Sequence, residues 1–539
     1  MKKLTKMGVA AVMTAVMAVS AVGCGGGKGG SDANELEVYV WDAGYGVEWC
    51  EAMLEDFAAQ DWVKEKYPDF KYKFTSNDQN GYAEGRINAG DVNTIDLFFG
   101  PDLGGTAANT ALELTDVVYN TEVPGEGVLY KDKIKDYMLD AFEYKNQDEG
   151  STGKYYATPF SSGMVSYVYN KTLFEELGLT VPRTTEELYE LCETVKSWDG
   201  KKAAYPYTTT IISSKIGYSD RLPKVWWSQY DGIEGYDNFM NAVASDGTKN
   251  SVDIFEEKGR LKSIKVFEKL YKEESGYYDR SSINYEFIQG QTRMLTGEGL
   301  MMVCGEWFST EMRELALEYA KKGYDYEIGM MRLPVVSDLI EKTSTITSDL
   351  MLRSVITDID EGRDAASDAA VSAEDYELVK AARGVFTCPD ALTSTGVIPD
   401  YADGKEMAID FLRYMATDRA NTIYAEKTYG GMLPFDFDLE EDAPDVYAKL
   451  EKEYGSTFGV MADVADIINA ENARVVYSYS PLEKYGSFTA WASKYAGFET
   501  VFMSDKDITA EQILEESDDY WLSDNAQRFQ NALRKAGMQ

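Results

Sequence analysis

The chain has 539 residues and a formal net charge of −39, with 92 Asp and Glu against 53 Lys and Arg and no histidine. This balance repels polyanions, so nucleic acid is excluded as a partner, and the missing histidine removes Ser-His-Asp and Cys-His nucleophile systems and imidazole metal sites. With 44% hydrophobic residues, the length still suffices for the cores of two or three domain-sized units.

Lys2, Lys3 and Lys6 precede an apolar run from Met7 to Val22, and Ala21-Val22-Gly23-Cys24 closes it with small residues. That is the pattern of an export signal, too short for the roughly 20 residues that span a bilayer. Residues 25–34, GGGKGGSDAN, read as a flexible tether. Removing residues 1–23 takes away three lysines and moves the charge from −39 to −42. The remaining cysteines, Cys50, Cys192, Cys304 and Cys388, sit in or beside apolar patterns without a C-x-x-C pair and are expected as buried free thiols.

Leu36 to Trp41 alternates as a strand does and ends in the turn Asp42-Ala43-Gly44-Tyr45-Gly46. Cys50, Met53, Leu54 and Phe57 then fall at i, i+3, i+4 and i+7, one face of a helix. Phe70 to Phe74 alternates strictly, and Ile95 to Phe99 follows a further helix-length segment. Strand, helix, strand, helix, strand argues for a parallel sheet with covering helices. The ligand crevice of such a sheet lies beyond the carboxyl ends of its strands, which points to Trp41–Tyr45 and to Gly100–Gly105 with Asp102.

Tyr155–Thr158 and Met164–Tyr169 read as strands around a short loop, Phe160-Ser161-Ser162, bracketed by Pro159 and Gly163. Lys171–Leu177 reads as a helix stopped by Gly178. Thr184 and Glu187 are spaced as a capping box before Leu188, Leu191, Cys192 and Val195. Residues 203–250 are dense in aromatics, including Tyr205, Tyr207, Tyr218, Trp226, Trp227, Tyr230 and Tyr236. Leu300–Cys304 suits a strand buried on both faces, with Gly305-Glu306-Trp307 as its exit. Residues 355–378 are acidic and read as a solvated insertion, since the calcium-loop ligand pattern is not met.

Gly153-Lys-Tyr-Tyr-Ala-Thr-Pro159 and Tyr169-Asn-Lys-Thr-Leu-Phe174 to Gly178-Leu179 resemble a signature of the family 1 extracellular solute-binding proteins, the sugar-type receptors of ABC importers. Similar correspondences run through Tyr67–Phe70, Ile95–Phe99, Leu112–Asp116, Pro182–Leu188, Phe287–Trp307 (with Arg293 where Ala is usual), Tyr326–Pro334, Gly396–Pro399 and Gly430–Pro434. The resemblance covers about residues 36–435 of the chain. It implies a two-lobed, type II periplasmic-binding-protein-like α/β fold, each lobe a mainly parallel sheet flanked by helices, with a ligand cleft between lobes. The expected division is residues 35–155 in lobe 1, 156–395 mainly in lobe 2, and 396–539 as helical segments bracing both. The ending at Cys24 resembles a bacterial lipobox, with Ala21 where Leu is commonest, and implies lipidation of Cys24 and an extracytoplasmic protein held at the cell membrane.

A receptor for sugars needs flat apolar faces for C–H surfaces and fixed polar groups for hydroxyls. Trp41, Asp42, Tyr45, Asp102, Phe160, Trp226, Trp227, Glu306 and Trp307 are the expected ligand contacts. Adjacent Trp226 and Trp227 are expected not to share one core, so that at least one points elsewhere. No catalytic group, metal or cofactor is expected; the partners are a carbohydrate and the membrane permease, and the protein is expected to be a monomer. Two alternatives stand: a receptor for a peptide or amine, and a secreted glycosidase using two carboxylates, which 92 acidic residues cannot discriminate.

Overall fold

In the computed structural model, residues 34–143, 153–197, 209–212, 221–388, 394–476, 480–488, 501–503 and 507–538 are described, apart from residues 43, 80, 91–93, 101, 102, 104–109, 273 and 487. The leader, Cys24, most of the tether, Asp102, Tyr205, Tyr207 and Tyr218 lie outside the described residues. None of the described helices is long and apolar enough to cross a membrane.

The alternation at the start of the chain becomes β1 (Glu35–Trp41), whose Leu36, Val38 and Val40 are fully buried. It pairs in parallel with β2 (Lys71–Asn77) on one side and β3 (Leu97–Gly100) on the other, Val38 standing opposite both Phe74 and Leu97. Helix α1 (Glu48–Ala59) covers this sheet with Trp49, Cys50, Met53, Leu54 and Phe57, the face read from the sequence plus Trp49. Two short strands complete it, β4 (Thr158–Pro159) and β10 (Thr395–Val397), in the order β2-β1-β3-β10-β4.

The second sheet has the order β6-β7-β5-β8. It comprises β5 (Val165–Asn170), β6 (Thr209–Ile212), β7 (Gly299–Gly305), buried along its whole length, and β8 (Ile328–Met331). Each sheet contains one reversed strand: β10 runs against β3 and β4, and β5 against β7 and β8. Both reversed strands enter from the other lobe. A chain crossing the cleft must start at the edge where the ordinary strands end, so it runs backwards through the sheet.

A crossing segment links the lobes at residues 160–164. Val165 bridges Thr387, Phe160 N–H donates to Ser394 O at 3.1 Å, and Ser162 N–H donates to Met432 O at 3.1 Å. Thr158 and Pro159 thus belong to the first sheet, four residues beyond the expected boundary at 155, and the passage occupies Phe160–Met164. A two-stranded parallel pair, β9 (Val385–Phe386) and β11 (Arg474–Val475), lies alongside.

Helix α2 (Asp136–Phe142) packs by β4. Helix α3 (Lys171–Leu177) begins where Asn170 accepts from Leu173 N–H and ends at Gly178, whose φ of +68° is the left-handed conformation glycine adopts freely. In α4 (Thr185–Lys196) Thr184 caps the Glu187 amide as expected, but Glu187 reaches Arg183 N–H rather than closing the box. Helices α5 (Pro223–Met240), broken at Gly232, α6 (Lys258–Tyr271), α7 (Phe287–Leu295) and α8 (Phe308–Ala320) build the second lobe.

Half of the acidic stretch expected as a solvated insertion is helical, the end of α9 (Asp349–Asp360) and the start of α10 (Ala373–Gly384), and the residues between the two helices are mostly exposed. Its Asp358 is buried and accepts from the Ser367 amide and hydroxyl. Helix α11 (Asp418–Lys427) packs on α1. Helix α12 (Pro444–Ile468) reaches the second sheet, where Asp463 accepts from Met330 N–H and pairs with Lys171 at 2.7 Å. Helix α13 (Ala510–Lys535), interrupted at Ser523–Ala526, packs on α6, where Asp518 meets buried Arg260 at 2.8 Å. All four described cysteines are buried and free.

Candidate functional site

The turn after β1 and the exit of β7 meet. Positive φ at Gly44 (+60°) and Gly46 (+70°) folds the turn back, which an L side chain resists. It delivers Tyr45, nearly buried, to the second lobe, where its hydroxyl donates to Glu306 Oε1. The other carboxylate oxygen of Glu306 accepts from Met164 N–H at 2.7 Å, and Glu306 N–H donates to Met164 O at 3.2 Å. Gly163 is required here by close approach: a Cβ would overlap the Glu306 carboxylate. Glu306 precedes the N-cap of α8, so its carboxylate ties β7, the crossing segment and the first lobe together instead of facing that helix's first turn.

Trp307 is 9% exposed, and its Cβ lies 3.8 Å from where a Cβ on Gly44 would stand, so its position borders the same turn. Trp41, half-buried at the end of β1, has a buried indole N–H with no hydrogen-bond partner among the described residues. Asp42 is exposed; its backbone N–H donates to Asn77 O at 2.9 Å, and its carboxyl is held above the usual range by partial desolvation and by Glu48 and Asp78. Tyr45, Glu306 and Trp307 are therefore brought together at one seam, and Trp41 and Asp42 stand on the strand end that leads into the Tyr45 turn.

Three expected contacts lie elsewhere. Phe160 stacks on Trp49 with centroids 5.7 Å apart and meets Phe99 edge-on at 5.4 Å, so it belongs to the aromatic core of the first sheet. Trp226 and Trp227 are both fully buried, against the expectation that one would point away from a core. Trp226 donates to Pro334 O at 3.0 Å and packs on Phe267 of α6. Trp227 donates to Asp231 at 3.0 Å and packs on Tyr236 and Phe239. Neighbouring side chains do face different directions, but α5 is covered on both sides, so each direction ends in a core.

Trp49 and Tyr424 escaped sequence reasoning. The Trp49 ring lies 5.3 Å from both Phe99 and Tyr424, and Tyr424 lies 6.3 Å from Tyr45, forming the aromatic floor behind the seam. The spacing of Trp49, Met53 and Phe57 was a signal for the first; nothing local marked Tyr424. Leu103 N–H donates to Thr395 Oγ1 and the Thr395 hydroxyl to Gly100 O, both at 3.1 Å, which ties β3 to β10.

Residues 46–352, more than half the chain, match the family model described as bacterial extracellular solute-binding protein. The chain belongs to this family. A curated relative, the multiple sugar-binding protein of Streptococcus mutans serotype c (strain ATCC 700610 / UA159), is 28% identical over 149 residues, 28% of this chain and 29% of its own length. The chain therefore matches less than a third of that relative. Among solved structures, the maltose-bound MalE3 of T. maritima is similar at a TM-score of 0.55 and 12% identity, over 90% of this chain and 98% of its own. A chitin oligosaccharide binding protein follows at 0.52 and 16%, over 91% and 96%. The protein RafE in complex with raffinose stands at 0.51 and 17%, over 90% and 98%. At these identities the likeness establishes the α/β, two-lobed type II fold of this solute-binding protein.

Proposed function

We propose that this solute-binding protein is the receptor of an ABC importer, which captures a carbohydrate by lobe closure and delivers it to a membrane permease without chemical turnover. The observation that carries the reading is the Tyr45–Glu306 hydrogen bond, a direct link between strand-end turns of the two lobes. Lobe closure by hinge motion is an established mode of ligand capture. In this reading Trp41 and Trp307 offer flat faces to the sugar ring and Asp42 accepts from its hydroxyls. Tyr45 and Glu306 form the latch. Asp102 keeps a proposed contact role from its position after β3. A carbohydrate, rather than a peptide or amine, is supported by this pairing of aromatic and carboxylate groups and by the maltose, raffinose and chitin oligosaccharide named for structures of similar fold.

The small-small-Cys ending supports lipidation of Cys24, which would hold a monomeric protein outside the cell membrane, tethered by residues 25–34 and needing no metal or cofactor. A thermal-shift screen across mono- and oligosaccharides, with product analysis of the same samples, tests the function. Stabilisation by a sugar that is recovered intact is expected, because binding to the native state alone raises its stability. Sugar cleavage would overturn the receptor reading, and stabilisation only by peptides or amines would overturn the carbohydrate.

A further inference from the structure

Arg221 and Lys224, at the start of α5, are both partly buried, and neither has an ion-pair partner among the described residues. Acidic residues outnumber basic ones by 92 to 53, so a carboxylate lies within reach of most cations. Lys133, Lys171, Arg260, Lys262, Arg353 and Arg383 each pair with at least one. Around Lys224 the balance is reversed. Burial and the Arg221 charge push its ammonium down to about 7, opposed by Cys388, and no carboxylate acts on it. A cation in the first turn also faces the positive end of the helix dipole, and no side chain caps α5. Burial, Arg221 and the helix start all disfavour the ammonium, and an anion seated beside the two cations relieves all three.

The sheet brings this pair to the solute side of the second lobe. Strand β6 runs parallel to β7, with Ile212 opposite Met302, so both strands end at the edge from which Glu306 and Trp307 emerge, and α5 is the helix that follows β6. Val225, next to Lys224, lines a small cavity with Met164, Val165 and Thr387. Met164 is the residue whose N–H donates to Glu306, so the start of α5 stands against the crossing segment that carries the seam.

We propose that the solute is an acidic carbohydrate, one bearing a carboxylate as a uronic acid does, and that Arg221 and Lys224 select it; this rests on the receptor reading above. Arg221 offers a planar fork to the carboxylate and Lys224 a point charge. A uronate keeps the C–H faces of a neutral ring, so the aromatic groups of the seam serve it equally. The overall negative charge of the chain repels anions, and an acidic solute therefore needs dedicated cations.

Isothermal titration of the full-length protein with a panel of uronate-containing oligosaccharides, each alongside its methyl ester, tests it. The ester preserves size and ring and removes the charge. The acid is expected to bind about tenfold or more tighter than its ester. Lys224→Met or Arg221→Gln is expected to abolish that preference, and either serves if the other does not fold. Lys321→Met, a charge-matched change at an exposed position after α8 on the same lobe, is expected to leave it intact. Neutral sugars or esters binding as tightly as the acids, or a preference for the acid that survives both substitutions, would overturn the acidic class and leave the receptor reading standing. Failure of every carbohydrate, neutral or acidic, to bind would overturn the receptor reading itself.

Discussion

The Tyr45 hydroxyl donates to the Glu306 carboxylate across a sequence separation of 261 residues, and both side chains are buried where they meet. Tyr45→Phe keeps the ring and removes the donor. A hydrogen bond to a charged group contributes about 1.5–3 kcal/mol, so unfolding free energy is expected to fall by about that amount in urea titration. Under the proposed function, weaker sugar binding should accompany it, because closed lobes would lose their latch. A variant matching the parent in both measurements would show that the contact contributes nothing.

Gly163→Ala tests the same junction from the crossing segment. The added Cβ overlaps the Glu306 carboxylate, which must then leave Met164 N–H or Tyr45. The expected outcome is a loss of about 1–3 kcal/mol from a buried polar group deprived of a partner, read by thermal or urea unfolding. Gly178→Ala, at the end of α3, is a useful contrast: open space surrounds its Cβ, so any cost there comes from its positive φ alone.

The tryptophans now separate into two classes. Trp227→Ala empties a core position between Tyr236 and Phe239 and is expected to cost about 3–5 kcal/mol of stability, with sugar affinity retained by the molecules that remain folded. Trp41→Ala should do the reverse, leaving the unfolding midpoint nearly unchanged and weakening binding about tenfold or more. Isothermal titration alongside calorimetric unfolding distinguishes them; coincident losses in Trp41→Ala would return that residue to the core.

A buried carboxyl gives the protein a pH dependence unrelated to the seam. Glu311 of α8 is pushed up to about 7 by burial, partly offset by the Gln291 amide, which donates to it at 2.7 Å. Gln291 is fully buried, and its Oε1 has no partner among the described residues. A carboxyl raised in the folded state favours folding while protonated. Its contribution is full below the unfolded value near 4.5 and is lost as pH rises through about 7. The span is on the order of 3 kcal/mol. Glu311→Gln should flatten the stability profile between these values, and an unchanged slope would assign the pH dependence to other groups.

Much of the framework was legible locally. The face Cys50, Met53, Leu54 and Phe57, the stop at Gly178 and the buried run Leu300–Cys304 all appear as read, because each follows from neighbours within a turn or a strand. The seam proposed as the site was legible only in part. Trp41 ends β1, Asp42 and Tyr45 lie in the turn after it, and Glu306 and Trp307 follow β7, and strand exits are visible in a sequence. Phe160, Trp226 and Trp227 were chosen for residue type and loop context, and what covers a ring is not a local property. In the acidic segment after residue 355, composition reported the exposed middle, residues 361–370, and not the helical backbone at its two ends.

In the sequence, periodicity and turn glycines marked the strands, helices and parallel α/β sheet, and the signature residues, by resemblance, implied a two-lobed solute-binding protein, since all of these act over short range. Tertiary structure alone decided which aromatics became core, which strands reversed on crossing between lobes, and that Tyr45 would meet Glu306. Those outcomes depend on packing between segments hundreds of residues apart, and burial there is a property of the assembled surfaces rather than of any one stretch of chain.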